Sequence, residues 1–175
     1  MKKKLSEDEE LFLVYGKVAR LATFSSNGFP HVVPLWYLYL DGHIYMATDK
    51  KSRKVENIRK NPKVAVVIDE YEEPSWEIRG IMIEGIAQII ESGKEYEKIL
   101  KEYLELKYPI YHSKEERWEE GEAVIIKIKP EKICKWKTED IFEEELKEIE
   151  KIKRDMKKIR KDLENVKKKL KIKKP

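Results

Sequence analysis

Four side chains that suit a bound anion follow one another closely between residues 48 and 54. Thr48 and Ser52 carry hydroxyl groups, and Arg53 and Lys54 come next at the start of a predicted helix. The N–H groups and the positive dipole end at a helix start attract anions, and an arginine can bind two phosphate oxygens at once. On these residues alone, a phosphate site and an ordinary Ser52 N-cap followed by solvated cations are equally compatible with the spacing.

The elements around this segment are predicted to be short strands joined by tight turns. Strands are predicted over 18–24, 31–40, 44–48, 64–68, 76–90, 122–129 and 132–136, with hairpin turns at Asn27-Gly28 and Asp41-Gly42. Helices are predicted over 6–15 with a Ser6/Glu9 capping box, over 52–61 and over 91–106. Six or seven short strands with few helices predict a mainly β (α+β) fold, an antiparallel barrel that is closed or nearly closed.

The chain changes character after residue 138, which predicts one domain over 1–138 and a long helix over 139–175. Apolar residues recur there with the a/d spacing of a coiled coil: Phe142, Ile149, Ile152, Met156, Ile159, Leu163, Val166 and Leu170. A lone helix cannot bury so narrow a stripe in water. We therefore expect it to pair with the same helix of another subunit, the barrel surface being the alternative.

The charge is unevenly distributed along the chain. Residues 1–138 hold 24 basic and 24 acidic side chains, residues 139–150 hold one and seven, and residues 151–175 hold thirteen and three. The basic end could bind nucleic acid or anionic lipid. A solvated helix end, where cations complement the dipole, is the preferred interpretation, and the gradient of charge also fits antiparallel pairing of two such helices.

Several of these segments occur together in a recognisable order and spacing. They are Gly28-Phe29-Pro30, Val33-Pro34-Leu35-Trp36, 45–48, Ser52-Arg53-Lys54 and 57–62. Together they resemble the pyridoxamine 5'-phosphate oxidase-like family of FMN-binding split barrels, over about 17–90 and more loosely to Trp136. The resemblance implies a split β-barrel that forms a homodimer with a cofactor at each end of the subunit interface.

The resemblance also implies a set of cofactor-binding residues. It places the FMN phosphate on Thr48, Ser52, Arg53 and Lys54, and the ring along Val33, Pro34, Leu35 and Trp36 with Ala47 close by. It places Gly80 and Trp136 near the flavin of the partner subunit, which is a weaker correspondence.

The substrate end departs from the true oxidase. That enzyme has an arginine where this chain has Val33, a glutamine where it has Gly80, and an Arg-Leu-His triplet that is absent here. Oxidation of pyridoxamine phosphate is therefore not expected. The predicted function is an FMN-dependent oxidoreductase of unknown small-molecule substrate. The alternatives are a deazaflavin-dependent reductase, or a non-catalytic flavin-binding protein whose coiled coil recruits a partner.

The amino-acid composition limits the disulfides, cellular location and metal sites that can be expected. Cys134 is the only cysteine, which excludes an internal disulfide, and neither a signal peptide nor a bilayer-spanning run is evident. We therefore expect a cytoplasmic protein without a membrane anchor. Abundant Lys and Glu with a single glutamine, Gln88, suggest a heat-adapted source. The three histidines lack metal-site spacing; His31 is a candidate proton donor to the ring, although a half-exposed strand residue is the preferred interpretation.

Overall fold

Seven strands and four helices make up the described part of the chain. The structure is a computed structural model that describes residues 5–72, 77–102, 107–108, 122–138 and 143–171. The strands are β1 Val18–Phe24, β2 Pro30–Trp36, β3 Leu38–Leu40, β4 His43–Asp49, β5 Lys63–Glu72, β6 Glu77–Ile90 and β7 Ala123–Lys137. The helices are α1 Glu7–Tyr15, α2 Arg53–Lys60, α3 Lys94–Lys101 and α4 Glu143–Lys171.

The capping box of α1 and two hairpin turns form where the sequence predicts them. The hydroxyl of Ser6 accepts the N–H of Glu9, and the Glu9 carboxylate accepts the N–H of Ser6. Asp41 and Gly42 between β3 and β4 have φ angles of 50° and 72°, and Gly28 between β1 and β2 has a φ of 83°. Glycine, and to a lesser degree aspartate, accepts a positive φ more readily than most residues do. The capping box and both turns are confirmed.

All seven strands form a single antiparallel sheet in the order β2-β1-β5-β6-β7-β4-β3. The two edge strands, β2 and β3, are consecutive in the chain, and only Tyr37 lies between them. Because one residue spans at most about 3.6 Å, the two edges must lie close together. The sheet is therefore curled, and the mainly β, antiparallel fold with short helices is confirmed.

Tyr37 divides the strand that was predicted over 31–40, so that prediction is wrong. Its side chain is fully buried, and its hydroxyl donates to the carbonyl of Leu13 in α1 over 2.7 Å. Its N–H donates to the hydroxyl of Tyr108 over 3.1 Å rather than to a neighbouring strand. These two bonds hold the chain where it passes from one edge of the sheet to the other.

The predicted strands over 122–129 and 132–136 are one continuous strand, β7. Glu84 of β6 pairs with Lys132 and Gly85 pairs with Pro130, so Glu131 is an extra residue on β7. Such a β-bulge keeps a strand continuous while it bends. A Cβ at Gly85 would lie 2.6 Å from the carbonyl oxygen of Lys129, so only glycine fits there. The register shift therefore falls at a glycine inside a strand, which often marks a bulge or a tight bend.

Two apolar clusters cover the two faces of β4, which is why that strand is buried on both sides. Ile44 and Met46 belong to the main core, while Tyr45 and Ala47 pack in a second cluster beneath α3. Helix α2 is anchored on the main core by Val55 and Ile58, which are 0% and 3% exposed. The end of β4 and the start of α2 are therefore held in place by buried side chains.

The helical predictions in the second half of the chain hold in part. Helix α3 is shorter than the predicted 91–106, and residues 103–106 lie outside the described residues. Residues 143–171 are helical as predicted, and every residue from 151 to 166 is exposed. Phe142 lies outside the described residues, and both the pairing of α4 and the domain boundary at residue 138 remain predictions.

Candidate functional site

The turn between β4 and α2 is organised by Asp49. Its carboxylate accepts the N–H of Lys51 over 2.5 Å, and its carbonyl accepts the hydroxyl of Ser52 over 2.7 Å. Thr48, the residue before it, is only 5% exposed. Ser52 occupies the N-cap position as predicted, but its side chain accepts no N–H of α2. The N-cap position is therefore confirmed, and the Ser52 hydroxyl closes the turn instead of bonding to α2.

Six cations lie between residues 50 and 60, and they divide into two groups. Four of them pair with carboxylates: Lys50 and Arg59 with Glu91, Lys51 with Glu122, and Lys60 with Glu56. Arg53 and Lys54 have no ion-pair partner among the residues that the structure describes. The two cations that the family resemblance assigns to the phosphate are therefore the two that form no ion pair among the described residues.

The pKa values of two groups near the start of α2, Lys54 and His31, are lowered. Burial lowers the pKa of the half-buried Lys54 ammonium, and the nearby Asp49 carboxylate opposes that shift. The pKa of His31 is also lowered, by burial first and then by the positive charges of Arg53 and Lys54. An anion between these groups would stabilise both protonated forms. The arrangement is suited to binding a phosphate group.

A chain of polar side chains connects α2 to the start of β2. Asn57 is 4% exposed and donates to the hydroxyl oxygen of Thr23 over 2.9 Å. That oxygen lies 3.4 Å from both Nδ1 and the backbone carbonyl oxygen of His31. Sequence reasoning did not include Asn57 and Thr23 among the site residues. The available signal was an asparagine on the apolar face of α2, between Val55 and Ile58.

We expect inorganic phosphate to raise the pKa of His31, because a bound dianion offsets the charges of Arg53 and Lys54. In the free protein His31 has a pKa below 6.5. It therefore favours the folded state above pH 6.5, and that contribution is lost as the pH falls through the lower folded value. Imidazole NMR titrations with phosphate, and with sodium chloride at equal ionic strength, measure the difference. The His31→Asn variant assigns the signal, and equal pKa values in the two salts would refute the expectation.

Comparison with known proteins identifies the family. Residues 6–137 match the family described as pyridoxamine 5'-phosphate oxidase. The chain belongs to the pyridoxamine 5'-phosphate oxidase family. It is 32% identical over 125 residues to general stress protein 26 of Bacillus subtilis, covering 69% of this chain and 80% of that protein. The resemblance inferred from the sequence is confirmed.

Solved structures show the same family fold. A FAD-binding protein from Mesorhizobium loti is 24% identical with a TM-score of 0.62, covering 76% of this chain and 95% of the other. A structure named F420 reductase is 23% identical with a TM-score of 0.57, covering 74% and 98%. At these identities the likeness establishes the fold alone.

The segment that the family resemblance assigns to the flavin ring, Val33 to Trp36, lies on edge strand β2, and the side chains from Val33 to Leu35 alternate between the two faces. Leu35 packs against the main core, whereas Pro34 is exposed. Val33 is half-buried, opposite Leu21 of β1. Trp36 stacks on Tyr108 with ring centroids 4.8 Å apart and planes 3° from parallel. One face of the Trp36 indole is therefore already covered by the chain itself.

Gly80 and Trp136, the two positions that the family resemblance places near the partner's flavin, are a cross-strand pair of β6 and β7. The indole lies directly on the glycine, since a Cβ at Gly80 would be 2.2 Å from Trp136 Cζ2. Gly80 therefore permits the position of Trp136. Among the described residues no hydrogen bond, ion pair or ring contact joins this pair to residues 48–54.

Two further properties of the described residues bear on function. No group of three or more His, Cys, Asp or Glu side chains comes together there as a metal site. Within the same residues, none of the helices has the length and apolar character required to cross a membrane.

Proposed function

We propose that this protein binds FMN and acts as a flavin-dependent oxidoreductase whose substrate is a small molecule. The observation that carries the proposal is that Arg53 and Lys54, at the start of α2, form no ion pair among the described residues, whereas the four other cations between residues 50 and 60 do. The phosphate of FMN would be held by these two side chains with Thr48 and Ser52. Membership of the pyridoxamine 5'-phosphate oxidase family and the fold shared with a FAD-binding protein support a flavin as the ligand.

The chemistry is divided between the cofactor and the chain. Bound FMN would supply hydride or electron transfer at its ring, and the protein would supply binding and orientation. The ring would lie along Val33, Pro34, Leu35 and Trp36 with Ala47 close by. The buried Thr48 and the hydrogen-bonded turn at Asp49 would hold the phosphate end in a fixed position.

We propose that the active form is a homodimer, with Gly80 and Trp136 facing the flavin bound by the partner subunit. Supporting this, the outer face of β1 and β2 exposes large apolar side chains that a monomer would leave in water. They include Val18, Phe24 and Val32, which are 39%, 55% and 57% exposed. The cytoplasmic location and the heat-adapted source stay predictions from composition.

Two alternatives have specific support. A deazaflavin-dependent reductase is compatible with the fold shared with the structure named F420 reductase, and the cations of α2 would suit either cofactor. A non-catalytic flavin-binding protein is compatible with the exposed α4, which would recruit a partner. Oxidation of pyridoxamine phosphate is not proposed, because Val33 and Gly80 replace residues of the true oxidase.

Titration of ligand-free protein with FMN, riboflavin and deazaflavin F420, followed by fluorescence, tests the proposal. Riboflavin has the same ring as FMN but no phosphate, so we expect FMN to bind about 100-fold more tightly, which is about 2.7 kcal/mol. Equal affinities for FMN and riboflavin would refute the phosphate site, and a preference for F420 would support the reductase alternative. Bound FMN without turnover by any pair of reductant and acceptor would support the binding protein.

A further inference from the structure

Helix α4 carries a continuous apolar row that no described part of the chain covers. Ile152, Met156, Ile159, Leu163 and Val166 are each 52–63% exposed. Their spacing alternates between three and four residues, which assigns Met156 and Leu163 to heptad position a and the others to position d. A row of this kind is the seam along which helices pair.

The charges that flank the row distinguish the two orientations in which helices can pair. Heptad position e holds Lys153, Arg160 and, by sequence, Lys167. Position g holds Asp155, Asp162 and, by sequence, Glu148, with Lys169 as the exception near the end of the helix. In a parallel pair, each g residue faces the e residue five positions later on the other helix, whereas in an antiparallel pair g faces g and e faces e. Among residues 151–166, parallel pairing thus brings together only opposite charges at these positions, and antiparallel pairing brings together only like charges.

We propose that α4 pairs in parallel and in register with α4 of a second copy of this chain. On each side of the seam, Asp155 would face Arg160 of the other copy, and Asp162 would face Lys167 in the next heptad. The acidic start and basic end of the helix favour the opposite orientation only at long range. Charges farther apart than about 8 Å are largely screened at physiological salt, so the side chains that flank the seam decide the orientation.

The parallel orientation also gives a closed assembly. A helix of 29 residues is about 43 Å long at 1.5 Å per residue. Parallel pairing places both sheet domains at the same end of the coil, where two subunits can also contact each other. Antiparallel pairing would place them at opposite ends, and in the proposed homodimer it would link separate pairs of subunits to one another. The proposal does not depend on the flavin site.

The residue types in the row bear on the number of strands. Leucine at position a with isoleucine at position d favours four-stranded assemblies over pairs, and Leu163 and Ile159 follow that pattern. A parallel two-stranded coil and a parallel four-stranded coil both bring equivalent residues together. The disulfide test described below therefore reports the orientation of the helices whether two or four of them associate.

Disulfide trapping in the full-length protein tests the orientation. In a Cys134→Ser background, Ile152→Cys is the parallel probe, and an equimolar mixture of Ile152→Cys and Leu163→Cys is the antiparallel probe, because antiparallel helices pair position d with position a. Lys161→Cys, on the opposite side of the helix from the seam, is the matched control. All three positions are exposed, so the substitutions leave the core intact. Cysteines are joined only when their Cα atoms lie about 4.4–6.8 Å apart.

The expected result is a disulfide between two copies of Ile152→Cys in a glutathione redox buffer. We expect its yield to exceed that of the Lys161→Cys control by about tenfold, since only the seam brings the sulfurs within bonding distance. A mixture that forms mainly the 152–163 disulfide would show antiparallel pairing and overturn the proposal. A yield for Ile152→Cys no higher than the control would show that α4 is unpaired and would overturn it as well.

Discussion

Replacing both Arg53→Gln and Lys54→Met is expected to lower the affinity for FMN by about 100-fold or more. Each cation would form a charge-assisted hydrogen bond to the phosphate, and such bonds contribute about 1.5–3 kcal/mol each. Neither residue has an ion-pair partner among the described residues, so its removal breaks no salt bridge there. Arg53 is exposed and Lys54 is half-buried, and neither is among the fully buried residues of α2 such as Val55 and Ile58. We therefore expect the fold to be retained.

The matched control is Lys60→Gln, which removes a cation from the same helix. Lys60 pairs with Glu56 one turn away over 2.6 Å, so its charge is already compensated. We expect this variant to bind FMN as the wild type does, and the double variant to bind FMN no better than riboflavin. Fluorescence titration measures both ligands. If the double variant retained full FMN affinity, the phosphate site would have to lie elsewhere.

Tyr37→Ala is expected to lower the free energy of unfolding by about 3–5 kcal/mol, the range for truncation of a buried aromatic residue. Tyr37 joins the two edge strands of the sheet and is fully buried. The Lys107 ammonium lies 4.1 Å from its ring centroid, and its hydroxyl donates to the Leu13 carbonyl. The substitution therefore removes packing, a cation–π contact and a hydrogen bond together.

Tyr37→Phe separates these contributions, because it retains the ring and removes only the hydroxyl. Its expected cost is about 1–3 kcal/mol, the penalty for leaving the buried Leu13 carbonyl without its donor. Tyr15→Ala is the control, since Tyr15 is 76% exposed and its removal should change stability by about 0.5 kcal/mol or less. Urea denaturation measures all three. A Tyr37→Ala variant as stable as Tyr15→Ala would contradict the structural role given to Tyr37.

The parts of the fold that could be predicted from the sequence are those decided by local chemistry. The capping box at Ser6, the Asp41-Gly42 turn and the bounds of β1 depend on residues close in the chain. The division of the strand at Tyr37 depends instead on Tyr108, which is 71 positions away. The continuity of β7 through Pro130 likewise depends on its pairing with β6. Local patterns do not contain these long-range contacts.

The candidate site shows the same distinction. Thr48, Ser52, Arg53 and Lys54 are contiguous enough to be recognised as a phosphate-binding pattern, and the structure places them around one turn. Within the described residues, Arg53 and Lys54 form no ion pair, and this could not be read from the sequence, because Lys50 and Arg59 pair with Glu91, a residue outside the motif. The link from Asn57 through Thr23 to His31 also joins three separate elements.

Arg53 and Lys54, which form no ion pair within the described residues, have a practical consequence for handling the protein. A site that binds the terminal group of a nucleotide-like cofactor also binds the anions of common buffers, which then compete with the true ligand. Any ligand that binds only the folded state raises the melting temperature, by an amount equivalent to about 2.7 kcal/mol at 100 times its dissociation constant. Thermal-shift screens for the natural ligand should therefore begin in a phosphate- and sulfate-free buffer, where stabilisation by each of these salts can be recorded first.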